Sequence, residues 1–428
     1  MAKSSNTSIE RRSAFSLQFN LLSLVIFSVA LILSSGGLVY LLTGILSTKS
    51  DVRTGLAPAR ETQMKGQFDE DIPPWGELVT YDMEIEHLDE FAMFNYAKDQ
   101  KPTWVFSGMP AEENVRDLMT RCGLSAAQIE QAFSASSVSR TPSNIVIRPD
   151  ADLILSLTPE VRGNLYAELG RNPANFYMHF PACLLGNPVE LAMYQSKLDP
   201  KMIALIKSLL FQRDGVTFFS DFELVLARAA SAEERNAIMK ALTREPGVVA
   251  RLRIRPTTDV DKLLGYWTQT PGVRLRDLRP LLESIKRLPN GDTISLLYLL
   301  PPFVRERLYT FPLPSQVGDP AMDCHWASLN FFSEQPDPRL GDPAYAAKRL
   351  LNDYYPIQRP GKYGDIVVLL DPDGNGIHSA VYIADDIVFT KNGNNPHQPF
   401  MLMRLNNLVA KYSIRGTPRV AIYRDRDS

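Results

Sequence analysis

The spacing of apolar and polar positions divides the chain into four textures. Residues 13 to 48 carry no charged side chain. The densest part, Leu21 to Leu42, meets the roughly 20 apolar residues that a bilayer crossing needs. Leu38 to Leu42 continues the run past Ser34-Ser35-Gly36-Gly37, which predicts an uncleaved transmembrane helix rather than a removed signal peptide. Residues 49–75 are charged and proline-bearing, the texture of a linker.

From Tyr81 to about residue 300 helical spacing dominates. Met202, Ile203, Leu205, Ile206, Leu209 and Leu210 form one wide apolar face. Ser125 with Gln128, and Ser231 with Glu234, have capping-box spacing. Thr158-Pro159 and Asp199-Pro200 each set a cap before a proline at the first helical position. Gly170 and Gly215 are expected stops, and Asn144 to Arg148 reads as a strand. From about Leu299 prolines punctuate, a helix opens at Cys324 and another at Pro343, and short strands follow at 364–370, 377–383, 387–391, 399–404 and 418–423.

The expected class is α+β. It comprises a cytoplasmic stub and transmembrane anchor (1–48), a linker (49–75), a largely helical middle domain of unread role (76–300) and a C-terminal helix-plus-antiparallel-sheet domain (301–428). Basic residues flank both sides of the anchor, so the positive-inside count leaves orientation open. A single N-terminal span most simply puts the main domains on the extracytoplasmic, periplasmic side, with the membrane as a partner.

Composition adds exclusions. The 428 residues are 45% hydrophobic and carry a net charge of −2, which gives no reason to expect nucleic acid as a partner. Arg251, Arg253 and Arg255 alternate with apolar residues and read as a solvated face of an ordinary element. No glycine-rich phosphate loop or metal-ligand cluster stands out, so no cofactor and no metal is expected. Asp371 to Gly376 imitates half a calcium loop, but Tyr382 stands at the twelfth position, and a hairpin turn is the better reading. His87 and His179 stand alone and read as structural. Cys122 and Cys183 either pair or remain buried free thiols.

Candidate chemistry gathers at Asp323-Cys324-His325-Trp326-Ala327-Ser328-Leu329. Asp323 is a good N-cap, and Cys324, Ala327 and Phe331 share one helical face. A cysteine on the first turn meets unpaired N–H groups that favour its thiolate. His378 lies near the start of a later strand, and a helix-borne Cys followed by a strand-borne His is the order of papain-like hydrolases. Cys324 is then the nucleophile and His378 its base, with the Cys324 backbone N–H meeting the oxyanion. The hairpin register decides what orients His378. A loop of Ala384-Asp385-Asp386 sets Asn392 opposite His378 and Thr390 one step diagonal; a two-residue turn brings Lys391 and Gly393 to that face instead. Asn392 is the expected third residue, with His397 in reserve. His325, a third of a turn from Cys324, reads as structural.

Three pieces of the C-terminal domain resemble the NlpC-type cell-wall cysteine peptidases of the papain-like superfamily. Asp323-Cys324 with its apolar helix is similar to that family's Asp-Cys-Ser-Gly helix start. Gly364-Asp365-Ile366-Val367 resembles its Gly-Asp-Leu-Val strand, and His378-Ser379-Ala380-Val381-Tyr382-Ile383 its His-Val-Gly-Ile-Tyr-Ile strand. The resemblance covers roughly the last 110 to 120 residues and none of the middle. It implies a papain-like domain that cleaves a peptide or amide bond in peptidoglycan, in the bacterial envelope. At the family's third catalytic position this chain has Thr390, and Tyr309 is the only counterpart of its tyrosine ahead of the cysteine. A non-catalytic envelope scaffold or binding protein is the alternative function, and transferase or deamidase chemistry on the same pair is a third.

Overall fold

Ile366–Leu370 and Ile387–Lys391 are buried along their whole length because both lie inside a sheet covered on its two faces. The computed structural model describes residues 73–89, 101–134, 138–185, 198–268, 275–312, 322–358, 361–393 and 398–427. Nine strands matter for the site: β1 (Glu77–Ile85), β2 (Glu245–Ile254), β3 (Asp292–Ser295), β4 (Tyr354–Ile357), β5 (Ile366–Leu370), β6 (Gly376–Ala384), β7 (Ile387–Lys391), β8 (Phe400–Arg404) and β9 (Arg419–Asp425). Strands β4 to β9 form one antiparallel sheet in the order β4-β9-β5-β6-β7-β8.

Side chains alternate between the two faces of this sheet. On one face Val368, Val381 and Phe389 pack with helices α1 (Cys324–Leu329) and α2 (Pro343–Asp353) through Ala327 and Ala346, and with Phe331 just after α1. On the other, Leu369, Ala380, Tyr382 and Val388 pack with Leu408 of helix α3 (Leu405–Lys411). Asp385 takes a positive φ of 55° in the β6–β7 turn.

A second antiparallel sheet, in the order β1-β2-β3, shares the α1-side core through Val248, Ala250 and Leu252. Tyr266, buried in the same core, donates its hydroxyl to the carbonyl of Ile383 in the larger sheet, 2.7 Å away. This core therefore runs across residue 301 without a break. Residues 104–242 build a separate core around two three-stranded sheets.

Two expectations are corrected here. Among the described residues no helix is long and apolar enough to cross a membrane. The transmembrane helix expected in 1–48 lies outside the described residues, and the fold is a mixture of helix and sheet without it. Nor is the middle largely helical. Short strands such as Phe211–Arg213 and Val216–Phe219 are too brief to show a period, and Asp214-Gly215 is the left-handed turn between them rather than a helix stop. The alternating arginines at 251 and 253 belong to β2, so the period of two was a strand signal.

The local start signals behave as their chemistry dictates. Ser125 and Gln128 form a reciprocal capping box. Thr158, Asp199 and Asp342 cap helices that begin on proline. Asp371 to Gly376 is the β5–β6 hairpin turn, closed by Asn375 N–H donating to the Asp371 carboxylate at 2.8 Å.

Gly364-Asp365, ahead of β5, is a structural device. Gly364 has a φ of +98°, and a Cβ there would overlap the Phe332 ring. The Asp365 carboxylate accepts from the Gly361 and Lys362 amides and takes a bidentate pair from Arg424, at 2.8 and 2.7 Å. Replacing Gly364 by Ala is expected to cost about 1–3 kcal/mol by overpacking and left-handed strain. Urea unfolding measures this, and a variant as stable as the parent would contradict the close approach.

Candidate active site

Helix α1 begins at the end of the sheet where β6 starts and β7 stops. Asp323 caps it by accepting the Trp326 N–H at 2.8 Å. Trp326 and Ala327 are buried and anchor the helix, with Trp326 tilted against Phe303 at 5.3 Å. The anchoring holds Cys324 in place with 5% of its surface exposed. Ser328 donates back to the Cys324 carbonyl at 2.7 Å.

The hairpin register combines the two expected alternatives. The turn has two residues, since Ala384 pairs with Ile387, but a bulge at Ile383 then shifts the pairing to Tyr382 with Val388 and Val381 with Phe389. Continued down the strands, that register sets Asn392 opposite His378. The side chain that meets His378, however, is Thr390, whose Oγ1 lies 2.8 Å from Nε2. Thr390 donates onward to Asn392 Oδ1 at 3.2 Å, and Asn392 Nδ2 donates to Glu245 Oε2 at 3.3 Å. Lys411 of α3 closes the run on Glu245 Oε1 at 2.5 Å. Asn392 is thus one hydrogen bond removed from the imidazole it was expected to hold. His397 lies outside the described residues.

Tyr412 stacks on His378 with centroids 4.5 Å apart and planes at 27°. The other nitrogen, Nδ1, is buried and meets no partner in hydrogen-bond geometry. Even so, the His378 ring is close enough to Cys324 to favour its thiolate. His325, read from sequence as structural, is the second imidazole at the sulfur. Its Nδ1 lies 2.9 Å from Ser379 Oγ, which donates to Ser328 Oγ at 3.2 Å. Residues 378 and 379 project to opposite faces, so one strand supports both imidazoles.

Burial alone would raise the Cys324 pKa, but the charge of His325, then that of His378, outweighs it, leaving the thiol well below its ordinary range. For His325 burial acts the other way, and the thiolate with Asp323 overcomes it to raise the imidazole to about 9. Asp323 is pushed up to about 6, by burial first and then by the thiolate. Burial also lowers Lys391 to about 8 although Cys324 and Asp323 oppose this. Its ammonium donates to the Gly393 carbonyl at 2.8 Å. Tyr309 is directed elsewhere, its hydroxyl donating to the Val248 carbonyl.

His325 also lines a slot of about 40 Å³ with Leu329, Ala346, Ile366, Val368 and Ser379. That volume suits about one water molecule. A wider cleft of about 720 Å³, lined by residues such as Asn164, Lys207 and Arg213, holds none of the site residues. Among the described residues no group of His, Cys, Asp and Glu is arranged to hold a metal ion. His179 and His87 bond to the Gly170 carbonyl and to Thr243. Cys122 and Cys183 are buried free thiols.

Sequence reasoning missed the roles of His325, Thr390 and Glu245 in this arrangement. Thr390 had been placed one step diagonal to His378, but Asn392 was preferred to it. Glu245 had no local signal, because only the packing of β2 beside β8 brings it in. No protein-family model, no curated protein and no solved structure matches the chain.

Cys324 is expected to react selectively with iodoacetamide near neutral pH. Burial pushes Cys122 up to about 11 and Cys183 up to about 12, so both should stay unlabelled in the folded protein. Peptide mapping reads the outcome, and equal labelling of the three would contradict the assigned electrostatics.

Stability should also carry the signature of the pair. The lowered Cys324 thiol contributes above its unfolded value of 9.0, a gain lost as pH falls toward the folded value. The raised His325 contributes fully below its unfolded 6.5, a gain lost as pH rises through about 9. Between 6.5 and 9 the slopes cancel, because folding moves one proton from sulfur to nitrogen. The contribution of the pair, read by urea unfolding as the difference between the parent and Cys324→Ala, should be level across that window and weaken below it. An identical pH profile for the two would count against the ion pair.

Proposed function

We propose that the chain is a cysteine hydrolase that cleaves a peptide or amide bond, with Cys324 as nucleophile and His378 as base and then acid. The observation that carries this reading is the meeting of Cys324 with two imidazoles, which overcomes burial and leaves the thiol easily ionised. The chain order of cysteine helix, sheet and strand-borne histidine, shared with NlpC-type papain-like peptidases, supports it. By that resemblance the substrate is a peptidoglycan peptide and the setting the bacterial envelope.

The thiol proton, which rests on His325, passes by way of the sulfur to His378 Nδ1, and the sulfur attacks the scissile carbonyl carbon. As the tetrahedral adduct collapses, the C–N bond breaks and the His378 imidazolium gives its proton to the departing amine. Water, deprotonated by the now neutral His378, attacks the thioester and frees the acid and the thiol. His325 holds the resting thiolate as an ion pair, and Thr390 accepts the His378 Nε2 hydrogen to hold the ring in line.

A specific observation favours a second reading. Cys324 is 5% exposed, and the slot beside His325 has the volume of about one water. A non-catalytic binding protein would tolerate that enclosure, whereas a hydrolase must admit a substrate to the sulfur.

Alkylation kinetics and peptide turnover separate the two. His378→Ala should lower the rate of Cys324 alkylation near pH 7 and reduce cleavage of a peptidoglycan peptide by about 10²- to 10⁴-fold, the usual worth of a positioned acid–base group. Cys324→Ala should abolish cleavage. Labelling of the parent no faster than an ordinary exposed thiol, with no dependence on His378, would favour the binding reading.

A further inference from the structure

We propose that Glu245 is a positioning residue that fixes which nitrogen of His378 carries the proton. It lies on β2, outside the segment that resembles the peptidases. The inference rests on the cysteine–imidazole reading and adds to it a remote determinant of the polarity of the base.

The physical basis is the direction of a hydrogen-bond chain. A carboxylate only accepts, whereas an amide presents one accepting end and one donating end. Glu245 therefore compels Asn392 to turn its Nδ2 toward the carboxylate, which leaves Oδ1 facing Thr390. Thr390 has one hydroxyl hydrogen, and it goes to that oxygen. Its own oxygen must then accept from His378, so Nε2 holds the hydrogen and Nδ1 presents a lone pair toward the cysteine. Water cannot scramble this order. Glu245 is 3% exposed, Asn392 4%, and Thr390 and His378 are fully enclosed.

The groups around Glu245 keep it an acceptor. Lys411 donates to its other oxygen from α3. Tyr412 and Cys183 also feel its charge, and burial pushes both of them up, toward their neutral forms. No other carboxylate is hydrogen-bonded to Asn392 or Thr390 among the described residues.

Glu245→Gln is the informative variant because it has the same shape and can present an N–H₂ to Asn392. Asn392 would then flip, Thr390 would donate to Nε2, and the imidazole hydrogen would move to Nδ1, the wrong end for a base. The tautomer can be read by long-range ¹H–¹⁵N correlation of ¹⁵N-histidine protein. The measurement is made in a Cys324→Ala background at about pH 8.5, well above the ordinary imidazole value of about 6.5. The His378 signal is assigned with His378→Gln.

The expected result is an Nε2–H tautomer with the native carboxylate and a shift to Nδ1–H or a mixture in Glu245→Gln. With Cys324 present, the same variant should raise the midpoint of the alkylation pH profile, and each unit lowers the rate below it about tenfold. Lys411→Met, which removes a charge but leaves the acceptor, should keep Nε2–H. If Glu245→Gln does not fold, Asn392→Ala cuts the chain while sparing the Glu245–Lys411 pair and should likewise release the tautomer. An Nε2–H form unchanged in whichever of these two variants folds would overturn the proposal. The tautomer is read without turnover, so failure of the hydrolase reading, seen as an unreactive Cys324 in the parent, remains a separate result.

Discussion

A thiol taken out of water should be harder to ionise, and Cys122 and Cys183 follow that rule. Cys324 is as buried as they are and does the opposite. The two imidazoles lower its pKa against burial, and the C-terminal fold can be understood as the means of bringing them to one sulfur. Helix α1 supplies the thiol and His325 from adjacent positions. Strand β6 supplies His378 and, one residue on, the serine that meets His325 from the opposite face. The burial that would suppress the thiolate is also what makes the imidazoles effective, since charges in a low-dielectric site interact more strongly.

Much of the local architecture was legible because it is written in short-range chemistry. Asp323, Thr158 and Asp199 are side chains whose oxygen can reach an amide two or three residues on, and each caps the helix it was expected to start. The five C-terminal strands were visible because short runs rich in β-branched and aromatic residues are bounded there by turn residues. The middle was misread for the opposite reason. Strands of three or four residues carry no measurable period, and the arginine-studded alternation of β2 imitates a solvated face. The transmembrane expectation rested on hydropathy alone and finds no helix among the described residues to support it.

The site was legible in its parts and obscure in its connections. Cys324 and His378 stand out by residue type and order. What orients the imidazole depends on one bulge at Ile383, which restores on the strand what the two-residue turn would have changed. No sequence pattern announces that bulge, and without it Thr390 and Asn392 would face away from His378. His325 was discounted by angular separation on the helix. An imidazole is long enough to span that angle when a neighbouring strand offers a hydroxyl such as Ser379 to anchor its far side.

The join between β2 and the site follows from the same geometry. Strand β8 packs beside β2, Tyr309 donates its hydroxyl to the Val248 carbonyl of β2, and Tyr266 donates to the Ile383 carbonyl of β6. Those contacts fix the distance at which a β2 side chain can reach the loop after β7. Glu245 sits at the first position of β2, paired with Ile85, so the register with β1 also sets where its carboxylate ends up. A slip of one residue there would replace the acceptor with Pro246 or Arg244, neither of which can accept from Asn392 through its side chain. The three-stranded sheet is therefore part of the surroundings that hold His378, and the core running unbroken past residue 301 is its physical expression.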